Sequence, residues 1–582
     1  MNLEKIVIKL SRALMLIMGF GLSINPVSSQ PIDADSPDET RSGGIVRPGN
    51  IPLPSPLPED KTPSSPIDIQ TKEPIDKKPK TAYGAKLFVK EIKISGNTAF
   101  SDDELKQITS PYENRMVYNS ELEDIRLALT RKYIEQGYIN SGAIIPDHKV
   151  VDGVIQFTII EGRLTDIEIV GNKYLETQYL KDRLKLGAST PLNVNELQEQ
   201  IQLMLESPSV ATINSALRPG DRRGEASLTA LVKEGPRVEF NPVIDNRLSP
   251  TLGSFRTLLP IQVNSINGQG DTLNLSLGHS EGLNDASINW ALPTITDNTI
   301  NLFANYSDSK IVSGSFKNLN IVNRAQTFGF KIINPVQRNT KNKFNLSWGL
   351  EVRKNESELL GQDYAFTSGV PADGRVKATV IRFGQEWTQR KQTEVIAARS
   401  QFSLGINAFG ATINDASNAP SGEFLSWLGQ FQLAKLLNNN LGQIIFRANT
   451  QLTNDPLFGM EQYSIGGALS VRGYRENQLV RDTGYDVSLE YRYPLIKDGN
   501  GKSILTLAPF FDAGGSSNNK RSDGTAPTFI SSVGLGFRWD PIKNVHAQLY
   551  WGHAIHKVVN DGHSLQDDGY HFLLTANLTD WL

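Results

Sequence analysis

The chain has 582 residues, 59 Lys+Arg against 62 Asp+Glu and a formal charge of −3. That length suits three or more domains, or fewer around one very large unit. It lacks the basic excess of a nucleic-acid binder. With no cysteine at all, it can build no thiol nucleophile, thiolate zinc site or disulfide. Forty-eight glycines among many Asn, Ser and Thr favour sheets and turns over helices.

Lys5, Lys9 and Arg12 precede the apolar run Leu14–Leu22, and the small residues Val27-Ser28-Ser29 follow it. A basic start, a short apolar core and a small-residue exit predict a secretory signal peptide over 1–29. The run is too short to span a bilayer as a helix. Residues 30–84 scatter prolines among Ser, Asp, Glu and Lys. Proline removes backbone donors and forbids helix, so this stretch reads as an extended linker and passive spacer.

An internal repeat follows. Glu91-Ile92-Lys93-Ile94-Ser95-Gly96-Asn97 matches Asp166-Ile167-Glu168-Ile169-Val170-Gly171-Asn172, and Gly96 to Gly171 is a step of 75 residues, as is Leu105 to Leu180. Each copy predicts a strand, a Gly-Asn turn and helical patterning. Leu122, Ile125, Leu129 and Tyr133 mark the second helix of the first copy. Each copy closes on an alternating strand, ending at Glu161-Gly162 and Glu234-Gly235. Two β-α-α-β-β modules are expected, over 86–163 and 164–237.

These paired modules resemble POTRA domains, the periplasmic modules of the outer-membrane protein-transport superfamily. The resemblance implies an exposed edge strand in each, here Ser141–Ile145, with Ala143, Ile144 and Ile145, and Ile213–Leu217, with Ile213, Ser215 and Leu217. An unpaired edge accepts an extended client segment by backbone hydrogen bonds. Edges packed on each other or on the barrel would bind nothing.

From Val238 to Leu582 the texture is period two. Leu273, Leu275 and Leu277 alternate, as do Ile300, Leu302, Ala304 and Tyr306, and Phe344, Leu346, Trp348, Leu350 and Val352. The pattern returns in Val487, Leu489, Tyr491 and Tyr493, and in Val533, Leu535, Phe537 and Trp539. Sustained alternation without a long apolar run predicts a transmembrane antiparallel β-barrel, lipid on one face and a polar lumen on the other. Aromatics near strand ends fit the girdles of such barrels. At about 21 residues per strand and connection, this region holds about 16 strands. The fold class is mainly β with small α/β modules.

Two motifs sharpen the resemblance. Val471-Arg472-Gly473-Tyr474 and Phe510-Phe511-Asp512-Ala513-Gly514 match two tetrads of the superfamily. The first belongs to an extracellular loop folded back into the barrel, the second (Phe510, Asp512, Gly514) to a downstream wall strand. By resemblance, Arg472 meets Asp512 on the inner wall. A guanidinium fork on a carboxylate gives an inserted loop a directional, charge-assisted lock.

Two patterns lead elsewhere. Gly278-His279-Ser280-Glu281-Gly282 fits a nucleophile elbow, which needs a helix straight after the Ser. Here a turn and a further alternating strand follow. His553, His556, His563 and His571 crowd one region, but His553 and His556 differ by an odd step and point to opposite strand faces. They read as lumen or loop residues. No metal, cofactor or catalytic residue is expected.

Over 86–582 the chain resembles the outer-membrane transporters of two-partner secretion systems, the hemolysin secretion/activation family. The resemblance implies nucleotide-free export of one large exoprotein. Implied partners are an exoprotein with an N-terminal two-partner secretion domain, outer-membrane lipid, and the barrel assembly machinery for insertion. Nucleic acid is not expected. Family members often carry an N-terminal pore-plugging helix, and 30–84 offers no obvious one. The alternatives are a barrel insertase, which usually carries more than two POTRA repeats, and a diffusion porin, which leaves the repeats unexplained.

Overall fold

The computed structural model describes residues 67–69, 84–146 and 152–579, apart from 295, 367–368, 438–440, 525–526 and 543. The signal segment, the position of any plug helix and most of the linker lie outside the described residues. The described chain forms two units, one of residues 67–235 with 267–270, the other of 236–266 and 271 onward.

The smaller unit contains the two repeat modules. In the first, Glu91–Ser95, Val154–Ile160 and Gly142–Ile144 form a three-stranded sheet. Helices Asp102–Thr109 and Asn119–Glu135 pack on it, burying Leu105, Leu122, Ile125, Leu129 and Tyr133. Ser101 and Glu104 close a capping box at the first helix, satisfying two of its otherwise orphaned N–H groups. The second module repeats the plan with strands Arg163–Val170, Val210–Pro219 and Glu225–Glu234 and helices Thr177–Lys185 and Val194–Met204.

The repeated Gly-Asn and Glu-Gly pairs prove to be one device. Glu161 accepts the N–H groups of Thr98 (2.6 Å) and Ala99 (2.9 Å). Glu234 accepts those of Lys173 (2.7 Å) and Leu175 (2.8 Å). The carboxylate at the end of the last strand thus caps the turn after the first. Burial works against the charge on Glu161, but bonds from the Thr98 hydroxyl and amide, the Ala99 amide and Tyr133 outweigh it and hold its pKa below the ordinary value. Gly96 and Gly171 take positive φ there, +77° and +95°, a conformation that side chains resist. The two modules also join through backbone: Leu192 N–H donates to Gly162 O at 2.7 Å and Val194 N–H to Gly137 O at 3.0 Å.

The edges differ from the sequence expectation. In the second module Val210–Pro219 is not an edge. The linker residues Asp68–Ile69 pair with it in parallel, opposite Ala216 and Leu217, so part of the stretch read as a spacer is a strand. Ile213, Ser215 and Leu217 are all buried. In the first module Gly142–Ile144 does end its sheet. There the Ala143 N–H donates to Thr130 Oγ1 (3.0 Å) and Arg126 Nη1 donates to Ala143 O (3.4 Å), both from the neighbouring helix. Helix side chains therefore occupy the backbone groups a client would need at that residue. Ile144 is half-buried and Ile145 exposed.

The larger unit is a closed antiparallel barrel. Its sheet counts eighteen strands. Val238–Phe240 and Val243–Asp245 both pair with Arg256–Asn264 and form one interrupted wall strand, while Gln362–Asp363 only extends a hairpin. The wall has sixteen strands, closed by Val243–Asp245 against Leu573–Thr575. Closure leaves no edge, so every wall strand has partners on both sides. Leu277, Ile288, Leu302, Phe328, Trp348, Leu489, Phe511, Trp539 and Trp551 face outward and exposed. Their opposite-parity neighbours Ser276, Ser347, Ser488, Glu490 and Asp512 are buried inside. The globular pattern is inverted, as a barrel in lipid requires.

Candidate functional site

Between wall strands Gln443–Thr453 and Thr483–Lys497, residues 454–482 turn back into the lumen. The segment has its own two-stranded hairpin, Tyr463–Ile465 with Leu479–Arg481. It also has a small core: Tyr463, Ile465, Val471, Tyr474 and Leu479 cluster with Leu428 and Ile530 of the wall. A loop with its own apolar centre holds a defined shape in a polar lumen.

Arg472 sits where this loop meets the wall, 2% exposed. Its Nε donates to Asp512 Oδ2 at 2.8 Å and its Nη2 to Asp512 Oδ1 at 2.9 Å, a two-pronged pair. Its backbone N–H also donates to Asp512 Oδ2, at 3.0 Å. Nη1 reaches Glu490, and Nη2 reaches Ser488 Oγ at 3.2 Å. The guanidinium lies 3.7 Å from the Phe510 ring centroid and 4.8 Å from that of Tyr550. Four inward side chains, Phe510 and Asp512 of strand Ser503–Ser517 and Ser488 and Glu490 of its neighbour Thr483–Lys497, thus converge because alternate residues share a face. Two acids face one guanidinium, and Arg492 Nε, donating to Glu490 at 2.6 Å, brings a second positive charge. Buried charges need such complete pairing.

The rest of the tetrad fits tightly. Gly473 adopts φ +88°, and a Cβ there would lie 2.7 Å from Gly552 O; its N–H donates to His571 Nε2 at 3.2 Å. The Tyr474 hydroxyl lies 2.9 Å from the carbonyls of Ser531 and His556 and accepts the His556 N–H at 3.1 Å. Val471 is fully buried. At Gly514 a Cβ would stand 2.8 Å from Tyr485 O and 3.0 Å from Ile465 of the loop, so the loop seats only against a bare backbone.

Sequence reading missed two further anchors. Glu461, 1% exposed, accepts Arg353 Nη1 at 2.7 Å and Arg382 Nη2 at 3.0 Å. Those arginines lie on Asn342–Leu359 and Arg375–Arg390, wall strands well apart in the sheet from those that hold Arg472. Arg475 forms a second fork, on Asp567, with both bonds at 2.7 Å. Ion pairs thus tie the loop to two separate stretches of wall and to neighbouring loops, where Arg521 Nη2 also donates to Asp482 at 2.6 Å.

The rejected patterns have structural explanations. Ser280 lies in a strand-turn-strand corner before strand Leu283–Pro293 and donates to Leu252 O at 2.7 Å. His571 is buried in the lumen, while His556 and His563 lie on the segment after strand Val545–Ala554. His553 differs from the expectation: it is exposed on the outer face beside Trp551.

A sixteen-stranded barrel with a plugged polar lumen, preceded by two POTRA-type modules, defines the class of POTRA-bearing outer-membrane proteins. The family model "Haemolysin secretion/activation protein ShlB/FhaC/HecB" matches residues 224–539, and the ShlB-type POTRA domain matches 87–162. The chain belongs to this haemolysin secretion/activation family, resides in the outer membrane and places its POTRA modules in the periplasm. It is 24% identical over 474 residues to the heme/hemopexin transporter protein HuxB of Haemophilus influenzae, covering 78% of this chain and 79% of that one. It is 25% identical over 434 residues to the outer membrane transporter CdiB of Escherichia coli, covering 70% and 69%. Among solved structures, CdiB from Escherichia coli shares the fold with TM-score 0.66 at 21% identity, over 88% of this chain and 94% of that chain. BamA from Haemophilus ducreyi lacking POTRA domains 1–3 follows at TM-score 0.51 and 15% identity, over 84% and 100%.

Proposed function

We propose that the protein exports one or a few large exoproteins from the periplasm to the cell surface, as the transporter of a two-partner secretion system. The periplasmic modules take the client's N-terminal secretion domain, the client crosses the lumen as an extended chain, and folding outside draws it through. No step makes or breaks a covalent bond, so the protein acts as a transporter rather than an enzyme and uses no nucleotide. Its partners are the client, outer-membrane lipid and, for its own insertion, the barrel assembly machinery. In this reading Val471, Arg472, Gly473, Tyr474, Phe510, Asp512 and Gly514 lock the lumenal loop.

The observation that carries the reading is a polar lumen occupied by a loop held by discrete ion pairs. A diffusion porin needs a standing water path, whereas a protein exporter needs a closure that yields to its client. An insertase shares the barrel and the tetrads, and the match to the secretion family supports export over it. The test is a deletion strain whose medium and outer membrane are compared by quantitative mass spectrometry. Loss of one or a few large exoproteins with other barrels unchanged is the expected result. A fall in many barrels means an insertase, and unchanged profiles mean a porin.

A further inference from the structure

The outer face of the barrel carries a charged patch where strands Thr299–Lys310, Val322–Arg338, Asn342–Leu359 and Arg375–Arg390 run side by side. Its depth follows from the strand pattern. On Asn342–Leu359, Phe344, Leu346, Leu350 and Val352 share the face of exposed Trp348. That apolar stretch is as long as a strand needs to cross a bilayer, about 9–11 residues. Lys354 is the next residue on this face. It lies towards the long connection 360–374 and away from the short turn 339–341, and the long loops of such barrels are extracellular. Lys354 therefore stands at the outer-leaflet boundary.

Two rows of side chains cross the four strands there. The upper row, Asp308, Arg324, Glu356 and Arg375, alternates in sign along its cross-strand pairs. Arg324 lies 3.8 Å from Asp308 and also reaches Glu358, while Arg375 lies 3.9 Å from Glu356 and 3.4 Å from Asp363. That row neutralises itself. The row nearer the bilayer is Tyr306, Gln326, Lys354 and Lys377, and it holds no acid. Lys354 and Lys377 face each other directly across their strands, which sets their Cβ atoms about 5 Å apart. Lys354 is exposed and Lys377 half-buried. Among the described residues, no carboxylate lies within ion-pair distance of either. Like charges placed directly opposite are destabilising, and an anion between the two ammonium groups removes the conflict.

A neighbouring loop adds an apolar element. The Thr412 N–H donates to Lys377 O at 2.7 Å, the Lys377 N–H to Thr412 Oγ1 at 3.0 Å, and Thr379 Oγ1 to Ala408 O at 2.7 Å. These bonds lay 408–412 along the strand. A Cβ on Gly410 would lie 3.7 Å from Lys377 Nζ, and Phe409 beside it is 64% exposed. Two cations, an exposed ring and an apolar wall below them match an amphiphile with an anionic head.

We propose that Lys354 and Lys377 bind the phosphate of an outer-leaflet lipid headgroup, whose acyl chains lie along Val352 and Ile381. Lysine holds phosphate as a point charge without fixed geometry, which suits a headgroup on an open face. The site belongs to the barrel's residence in the outer membrane and stands apart from the export reading.

The test is native mass spectrometry of the detergent-purified full-length protein titrated with diphosphoryl lipid A. Lys354→Ser with Lys377→Ser is expected to bind it at least tenfold more weakly than wild type. Lys354→Arg with Lys377→Arg keeps both charges and is expected to bind like wild type. Lys435→Ser is the control, because Lys435 is exposed at the opposite rim and faces Glu394 across its strand pair; its binding is expected to be unchanged. Retention of the heat-shifted electrophoretic mobility shows that each variant is folded, and either single serine variant, expected at intermediate affinity, replaces a double variant that fails this check. Equal binding by wild type and the serine variants overturns the inference, as does an equal loss in Lys435→Ser. Inorganic phosphate is expected to compete only at concentrations at least a hundredfold above the lipid. Competition at equal concentration shows a free-anion site and overturns the lipid assignment.

Discussion

Replacing Arg472 by alanine tests the proposed loop lock most directly. The substitution removes two side-chain bonds to Asp512, one to Glu490 and one to Ser488, and empties the space between the Phe510 and Tyr550 rings. The loss falls unequally on the two acids. Glu490 retains Arg492 at 2.6 Å, whereas Asp512, 0% exposed, retains from this residue only its backbone N–H. Leaving a buried charge unpaired costs about 3–5 kcal/mol. At about 1.4 kcal/mol per decade, this moves the loop equilibrium by about two to three and a half orders of magnitude towards release. Ser470→Cys, at a buried loop position in a chain without other thiols, reports release through labelling by an impermeant maleimide. Labelling is expected to accelerate at least a hundredfold in Arg472→Ala, with larger single-channel conductance in planar bilayers. Arg472→Lys should fall between, since one ammonium cannot reproduce the fork. Unchanged labelling and conductance in a properly inserted Arg472→Ala barrel would refute the reasoning.

Charge reversal offers a complementary check: Arg472→Asp should abolish export with the barrel still inserted, and adding Asp512→Arg should restore part of it. Glu461→Gln leaves Arg353 and Arg382 facing a neutral amide, although Arg382 keeps Glu351 at 3.0 Å. The barrel should convert to its unfolded electrophoretic form at a lower temperature and show raised conductance. Phe328→Arg, on the lipid face, should weaken refolding into vesicles by about 2–4 kcal/mol in a urea titration. Glu161 has a lowered folded pKa, so its stabilising contribution is full above the ordinary carboxylate value of about 4.3 and fades as pH falls below that, through its own lower value. Limited proteolysis of the POTRA modules should therefore accelerate in that acid window in wild type, and Glu161→Gln should already be fast at pH 7.

Much of this architecture was legible because it depends on parity and repetition. A lipid-facing strand must place Trp348 out and Ser347 in, and the sequence writes that alternation openly. Glu490 was within reach of the same logic, since it shares parity with Ser488 and Arg492 on a strand whose odd residues are Leu489 and Tyr491. The Gly-Asn and Glu-Gly repeats were visible, though only the structure shows the glutamate of one capping the turn of the other. Glu461 carries no such signal, because a lone acid in an irregular loop has no period, and its arginines lie about 80 to 110 positions away. Ile67–Ile69 was illegible for a different reason. A two-residue strand after Pro66 has no periodicity of its own, and its stability comes from the groove it fills. The closed edge at Ala143 follows the same rule: Thr130 and Arg126 look like ordinary helix-surface residues until the strand beside them is in place.

The lock's chemistry also constrains how a client could open it. Mutation and opening are different perturbations of the same ion pair. Removing Arg472 strands Asp512 in a dry site, so the full desolvation cost appears. When the loop withdraws instead, water follows it, and Arg472, Asp512 and Glu490 are hydrated together. Each then regains most of what burial had taken from it. The net cost of separation is far below the cost of truncation, because a buried pair gives little net stability against its solvated parts. The ties through Arg472, Glu461 and Arg475 share this property, while the loop's apolar contacts with Leu428, Ile530, Val380 and Phe424 of the wall add a hydrophobic part to the closure. Such a closure is stiff against dry deformation and yields once water is admitted. Under the proposed export reading, a hydrated, extended polypeptide entering the lumen would bring that water with it, so that passage and unlocking coincide.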